Sequence, residues 1–166
     1  MKIYVACLES YINGILHGRW IDATKEVGDI ESEITIMLKE SSVREAEEWA
    51  IHDYDGFGDL RLGEYPSLTS IHKIALFLQE HEDVGAKLLS YTGDDIDYAQ
   101  NLIEDSYLGK YENIAHYARE MTESCTTIPH GIEHYIDYDS MGKDMLLDEL
   151  FMLETDYNEI HVFQHI

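Results

Sequence analysis

Apolar residues along this chain recur at two different periods, and the changes of period mark out its elements. Ile3 to Leu8 is apolar on both alternating faces, the pattern of a strand covered on both sides. Asn13-Gly14 is a strong turn dipeptide, and Ile15 to Ile21 is expected to return as a second strand. Val27, Ile30, Ile34, Met37 and Leu38 then fall at helical spacing, with Asp29, Glu31, Glu33 and Glu40 off the apolar stripe. Trp49 to Tyr54 reads as a third strand ahead of a loop at Gly56–Gly58.

The middle of the chain changes character. Ser67 or Thr69 can cap a helix whose apolar residues Ile71, Ile74, Ala75 and Leu78 sit at i, i+3, i+4 and i+7. A short helix carrying Val84, Leu88 and Leu89 follows and is broken at Gly93. Asp94, Asp95 and Asp97 then occupy the acidic first turn of a helix running towards Ile103. The last third opens on a short strand, Tyr107 to Tyr111. A helix striped by Ile114, Tyr117, Ala118 and Met121 comes next, then a break at Pro129 and Gly131 and a short helix around Ile132, Tyr135 and Ile136. Leu150 to Thr155 and Ile160 to Gln164 flank Asp156-Tyr157-Asn158-Glu159 as a hairpin. The pattern predicts an α+β protein in three parts: an N-terminal α+β domain over 1–61, a helical acidic domain over 62–103 and a C-terminal α+β domain over 104–166.

Charge changes the picture more than any motif. The chain has 166 residues, 45% of them hydrophobic, which is enough for a core; yet 34 Asp and Glu stand against 11 Lys and Arg, a formal charge of −23. A compact chain of this length has a radius of gyration of roughly 15 Å and so a diameter of about 40 Å. About 40 Å of B-DNA carries roughly 23 charges, at one per ~1.7 Å of axis. Such a molecule is repelled by nucleic acid and by anionic membranes, so neither is an expected partner. The acids form no tail: doublets such as Glu47-Glu48 and Asp94-Asp95 lie between apolar residues, and acids outnumber bases in all three parts. The expectation is a folded surface that is acidic everywhere.

That surface is held at a cost in stability. Asp29 and Glu33 are like charges at i, i+4, a pair that costs about 0.2–0.5 kcal/mol. Glu80, Glu82 and Asp83 stand at the C-terminal end of a predicted helix, unfavourable for acids by a further ~0.3–1 kcal/mol each. A chain that tolerates such penalties points to a partner with a positively charged groove. The acidic surface expected to meet it comprises Asp29, Glu33, Glu40, Glu47, Glu48, Asp53, Asp55, Glu80, Glu82, Asp83, Asp94, Asp95, Asp97, Glu104, Asp105, Glu112, Glu120 and Glu123.

Other chemistry has weak signals. His52-Asp53-Tyr54-Asp55 would put two carboxylates on one face of a strand, but acids this abundant produce such pairs by chance. His161 and His165 lie on a predicted strand, where a four-residue spacing is not the helical pair of a zinc motif. Gly56-Phe57-Gly58 is followed by Asp59, which would repel phosphate. The two cysteines, Cys7 and Cys125, both in apolar settings, are expected to be reduced thiols. The apolar run at the N-terminus is six residues long and interrupted by Glu9, unlike a signal peptide. The expectations are therefore no enzyme, no metal, no cofactor and a cytoplasmic location.

Several segments resemble the ArdA antirestriction proteins. Ile3-Tyr4-Val5-Ala6, Tyr11-Ile12-Asn13-Gly14 and Gly18-Arg19-Trp20 are similar to the opening of that family, and Glu47 to Gly56 to its most recognisable segment. Tyr135-Ile136-Asp137-Tyr138 with Gly142-Lys143-Asp144 is similar again near the C-terminus. The resemblance implies an elongated homodimer of three-domain chains that imitates bent B-DNA. It implies inhibition of type I restriction–modification enzymes through the DNA groove of their methylase–specificity core, protecting incoming mobile DNA. It also implies dimer contacts from the last third, here Tyr107, Leu108, Tyr111, Ile114 and Ile128. Two rival readings of the same residues are a carboxylate-based metal-binding protein or metal-dependent hydrolase, and an acidic adaptor that sequesters some other basic DNA-binding protein.

Overall fold

A computed structural model describes residues 1–60, 62 and 66–165. The chain is mixed α+β, and its contacts divide into two units, Met1–Ala86 and Lys87–Ile166. The expected domain limit at 61–62 has residue 61 outside the described residues.

The first unit is built on an antiparallel sheet. β1 (Lys2–Cys7) lies between β2 (Gly18–Asp22) and β3 (Trp49–Asp55), and α2 (Val27–Lys39) packs on β1 and β2. Ile3, Val5 and Cys7 share one face of the central strand and are fully buried. On the other face the strand covers itself with aromatics: Tyr4 and its cross-strand partner Trp20 have ring centroids 5.4 Å apart. The Tyr4 ring lies over Gly18, where a Cβ would come within 2.8 Å of it. In α2 the residues buried are Ile30, Ile34 and Met37, one helical stripe. The like-charge penalty at Asp29 and Glu33 is relieved, because Lys25 forms an ion pair with Glu33 at 2.5 Å. α3 (Leu68–Glu80) is capped by Ser67, whose hydroxyl accepts the Ser70 N–H at 3.1 Å, and packs on α2.

One expectation here is corrected. The second strand begins at Gly18 and not at Ile15, because a short helix, α1 (Leu8–Ile12), follows β1 directly. Asn13-Gly14 ends that helix: the Asn13 N–H bonds to Glu9 O, and Gly14 takes a φ of +72°.

The second unit starts within α4 (Gly85–Thr92), which ends at Gly93 (φ +68°) as expected. α5 (Ile96–Asn101) is capped by Asp95, which accepts the Tyr98 N–H at 2.9 Å, and runs into a π-helical turn, Leu102–Ser106. β4 (Tyr107–Tyr111), β5 (Leu150–Asp156) and β6 (Glu159–Gln164) form an antiparallel sheet with β6 in the centre. α6 (Ile114–Cys125) and α7 (Tyr138–Asp148) pack on one another, and Ile114, Tyr117, Leu150, Ile160 and Val162 form a core. Opposite that core Phe151 stacks between Tyr91 (4.5 Å) and Phe163 (5.0 Å).

The sequence reading missed α7 and placed Cys125 in an apolar setting, whereas its thiol is exposed at the end of α6. Met121, read as part of the α6 stripe, is also exposed. The helix expected around Ile132 to Ile136 is a single 3-10 turn, Glu133–Tyr135. Among the described residues, no helix is long and apolar enough to cross a membrane.

Candidate functional site

The acids expected to face a partner differ little in exposure. All are exposed except Glu33, which is half-buried beneath Lys25. They come from unlike local structures, so their exposure has several causes. Asp29 and Glu40 lie off the buried stripe and at the end of α2. Glu47 and Glu48 lead into β3, and Asp53 and Asp55 project from its outer half, beside a bulge that inserts His52 between the Val5 and Tyr4 registers. Glu80 closes α3, with Glu82 and Asp83 in the turn after it. In the second unit Asp94, Asp95 and Asp97 surround the start of α5, Glu104 and Asp105 ride the π-helical turn, and Glu112, Glu120 and Glu123 precede or lie along α6.

Few of these charges are cancelled. Arg19 pairs with Glu40 at 2.7 Å and Arg119 with Glu123 at 2.8 Å, and His116 lies 3.1 Å from Glu120. Among the described residues, no ion pair reaches Glu47, Glu48, Asp55, Glu80, Glu82, Asp94, Asp97 or Asp105. With 34 acids and 11 strong bases most carboxylates must stay uncompensated, so both units carry a net negative field.

Other acids are used to build the chain. Asp22 accepts the Thr24 N–H and hydroxyl at 3.0 and 2.8 Å, which lowers its pKa. Asp137 caps α7 through the Ser140 N–H and hydroxyl, with the same effect. Glu9 goes furthest. Its Oε1 accepts the N–H groups of both Glu47 and Glu48 at 3.0 Å, and these bonds hold its carboxyl down at about 2.

The histidines singled out from the sequence, and Asp53 of the carboxylate pair, have structural partners. Asp53 accepts the N–H of the next residue, Tyr54, at 2.8 Å, and His52 meets the edge of Tyr11 at 4.9 Å. His161 is buried in β6 with Nδ1 2.9 Å from the Tyr107 hydroxyl, and His165 packs against Phe151 at 5.3 Å. Of the residues expected at a dimer contact, Tyr107 and Leu108 are exposed, Tyr111 and Ile128 are half-buried, and Ile114 sits in the core of its own unit.

A family model described as Antirestriction protein (ArdA) matches residues 3–159 of the chain. The chain belongs to the ArdA family. The match to ArdA runs through the helical stretch 62–103 as well as the two ends that carry the recognisable segments. None of the curated proteins matches the chain. Membership of ArdA assigns the chain to antirestriction.

One ArdA surface feature escaped the sequence reading. Tyr11, Ile12, Ile15 and Leu16 are exposed together around the Asn13-Gly14 turn, Ile12 at 82% and Leu16 at 78%. A signal was there: apolar residues on both sides of a turn dipeptide, with no charge from Ser10 to Gly18. Assigning Ile15 to a strand concealed it.

Proposed function

We propose that this ArdA protein is a non-enzymatic DNA mimic. It occupies the DNA-binding groove of type I restriction–modification enzymes, on their methylase–specificity core, and so protects incoming mobile DNA in the cytoplasm. The observation that carries this reading is the set of exposed carboxylates on both units that have no ion-pair partner among the described residues, from Glu47 and Asp55 to Asp97 and Asp105. A groove built to bind phosphates by charge binds a carboxylate field by the same interaction, without reference to base sequence.

The working species is a homodimer with contacts in the last third, 104–166, of which Tyr107 and Leu108 are the exposed members. The chain acts as three functional parts, 1–61, 62–103 and 104–166. No cofactor or metal takes part.

The test is competition on a purified methylase–specificity complex. Increasing amounts of the protein should displace bound duplex DNA stoichiometrically, and DNA cleavage by the complete enzyme should fall in parallel. Retention of DNA at saturating protein would refute mimicry, as would loss of cleavage without loss of DNA binding.

A further inference from the structure

The exposed apolar turn between α1 and β2 has a structure that exposure alone does not explain. Three successive N–H groups of its backbone are engaged: Asn13 N–H bonds to Glu9 O, Gly14 N–H to Tyr11 O at 3.0 Å and Ile15 N–H to Ser10 O at 2.9 Å. The Asn13 side chain adds a bond to Glu9 O at 2.7 Å. At the far side His17 is fixed through its carbonyl to Cys7 N–H and through its ring to Met37 O at 2.7 Å. The turn is therefore ordered, and its order holds Ile12 and Leu16 out in water.

The surrounding charge tells which surface can cover it. Ser10 to Gly18 contains no Asp, Glu, Lys or Arg; Glu9 before it directs its carboxylate onto the backbone of Glu47 and Glu48, and Arg19 after it is paired with Glu40 at 2.7 Å. Glu47 and Glu48, bound through their backbones to Glu9 at the start of α1, keep their own side chains exposed. An anionic membrane would be repelled by these acids and by the chain's charge of −23. A basic protein surface is attracted to the flanking acids and can bury the apolar residues.

We propose that Ile12 and Leu16 form an apolar anchor that docks on the positively charged surface of the restriction enzyme, beside its DNA groove. The inference rests on the mimicry reading and deepens it: carboxylates supply a salt-sensitive attraction, and the anchor supplies a salt-insensitive contact that DNA does not make. Burying aliphatic side chains there removes apolar surface from water, a gain that salt does not screen.

Surface plasmon resonance on an immobilised methylase–specificity complex, at low and at high salt, tests it with two double variants. Ile12→Ser with Leu16→Ser should bind about tenfold more weakly at both salt concentrations, leaving the dependence on salt unchanged. Asp55→Asn with Glu82→Gln should instead flatten the dependence on salt. Both residues of the anchor are exposed, so circular dichroism should show the parent fold. Unchanged affinity of the apolar variant, with the parent binding and displacing DNA, overturns the anchor and leaves mimicry standing. A parent that fails to displace DNA overturns both. A shift of the apolar variant from dimer to monomer in sedimentation overturns the anchor by making the turn a self-contact.

Discussion

Glu9 holds Glu48 by its backbone: Glu9 Oε1 accepts the Glu48 N–H at 3.0 Å, and the Glu48 carbonyl accepts the N–H of Leu8 at 3.0 Å. Two acidic residues are thereby fixed side by side, because only one of them brings its charge to the contact. The arrangement ties α1 to the entry of β3 and leaves the Glu48 carboxylate pointing out.

It also makes stability depend on pH in a defined direction. The Glu9 carboxyl is lowered from 4.5 to about 2 by the Glu47 and Glu48 N–H groups, so its contribution is complete above about pH 4.5. It is lost as pH falls from there towards 2. Glu9→Gln should therefore be less stable than the parent at neutral pH. The gap between the two in urea denaturation should close across that acid window, and a gap independent of pH would place the effect elsewhere.

A second prediction concerns Gly142, inside α7. A Cβ there would lie 2.8 Å from the Ile114 carbonyl oxygen and 3.0 Å from its carbonyl carbon. Those atoms belong to the backbone of α6 and cannot swing away. Ala would gain about 1 kcal/mol of helix propensity, but separating two packed helices typically costs ~1–3 kcal/mol. Gly142→Ala should lower stability by about 1 kcal/mol, read as a fall in the thermal midpoint with secondary structure retained.

Gly142 also shows why part of the fold was hard to read. α7 has a good start signal in Asp137, yet it buries little except Gly142 along its length, so no apolar stripe announces it. α1 is a single turn between a strand and a turn dipeptide, too short for any periodicity. By contrast α2, α3 and β5 were legible, because each buries one regular stripe or alternates strictly, and β6 because it is a short apolar run after a turn signal. The acidic surface was legible as composition, since so many acids must remain outside. Which acids are spent on the backbone, as at Glu9 and Asp22, depends on contacts between residues distant in sequence or on turn geometry, and charge counting does not register them.

The proposed dimer has a direct test in the last third. Leu108 is exposed on β4, and Leu108→Glu would place a charge in an apolar contact at little cost to the monomer. Sedimentation equilibrium should give a particle of twice 19.2 kDa for the parent and of 19.2 kDa for the variant. A parent that stays monomeric at micromolar concentration would refute the dimer.

Mimicry of the phosphate backbone also predicts breadth. Contacts to phosphate carry no base information, so enzymes with different recognition sequences should be inhibited alike. Inhibition should weaken as salt screens the carboxylates. Measured as cleavage of plasmids bearing different type I sites, restriction of the effect to one specificity would indicate an ordinary protein epitope instead.

The spread of the charge over both units leads to the last prediction, which separates a summed field from any single-site mechanism. Exposed charge contacts are typically worth ~0.2–1 kcal/mol each, while a tenfold change in affinity needs about 1.4 kcal/mol. Glu48→Gln, Asp55→Asn, Glu82→Gln and Asp97→Asn alter exposed carboxylates that have no ion-pair partner among the described residues, so their folding effects should be small. Each alone should leave inhibition within a few-fold of the parent. Combined in steps, they should weaken binding progressively with the number of charges removed and flatten its dependence on salt. A metal or catalytic site would respond the other way, with one carboxylate decisive and the others silent. Titrating the series against the methylase–specificity complex decides between the two. Loss of all inhibition on a single Asp→Asn change, with fold intact, would overturn the mimicry reading.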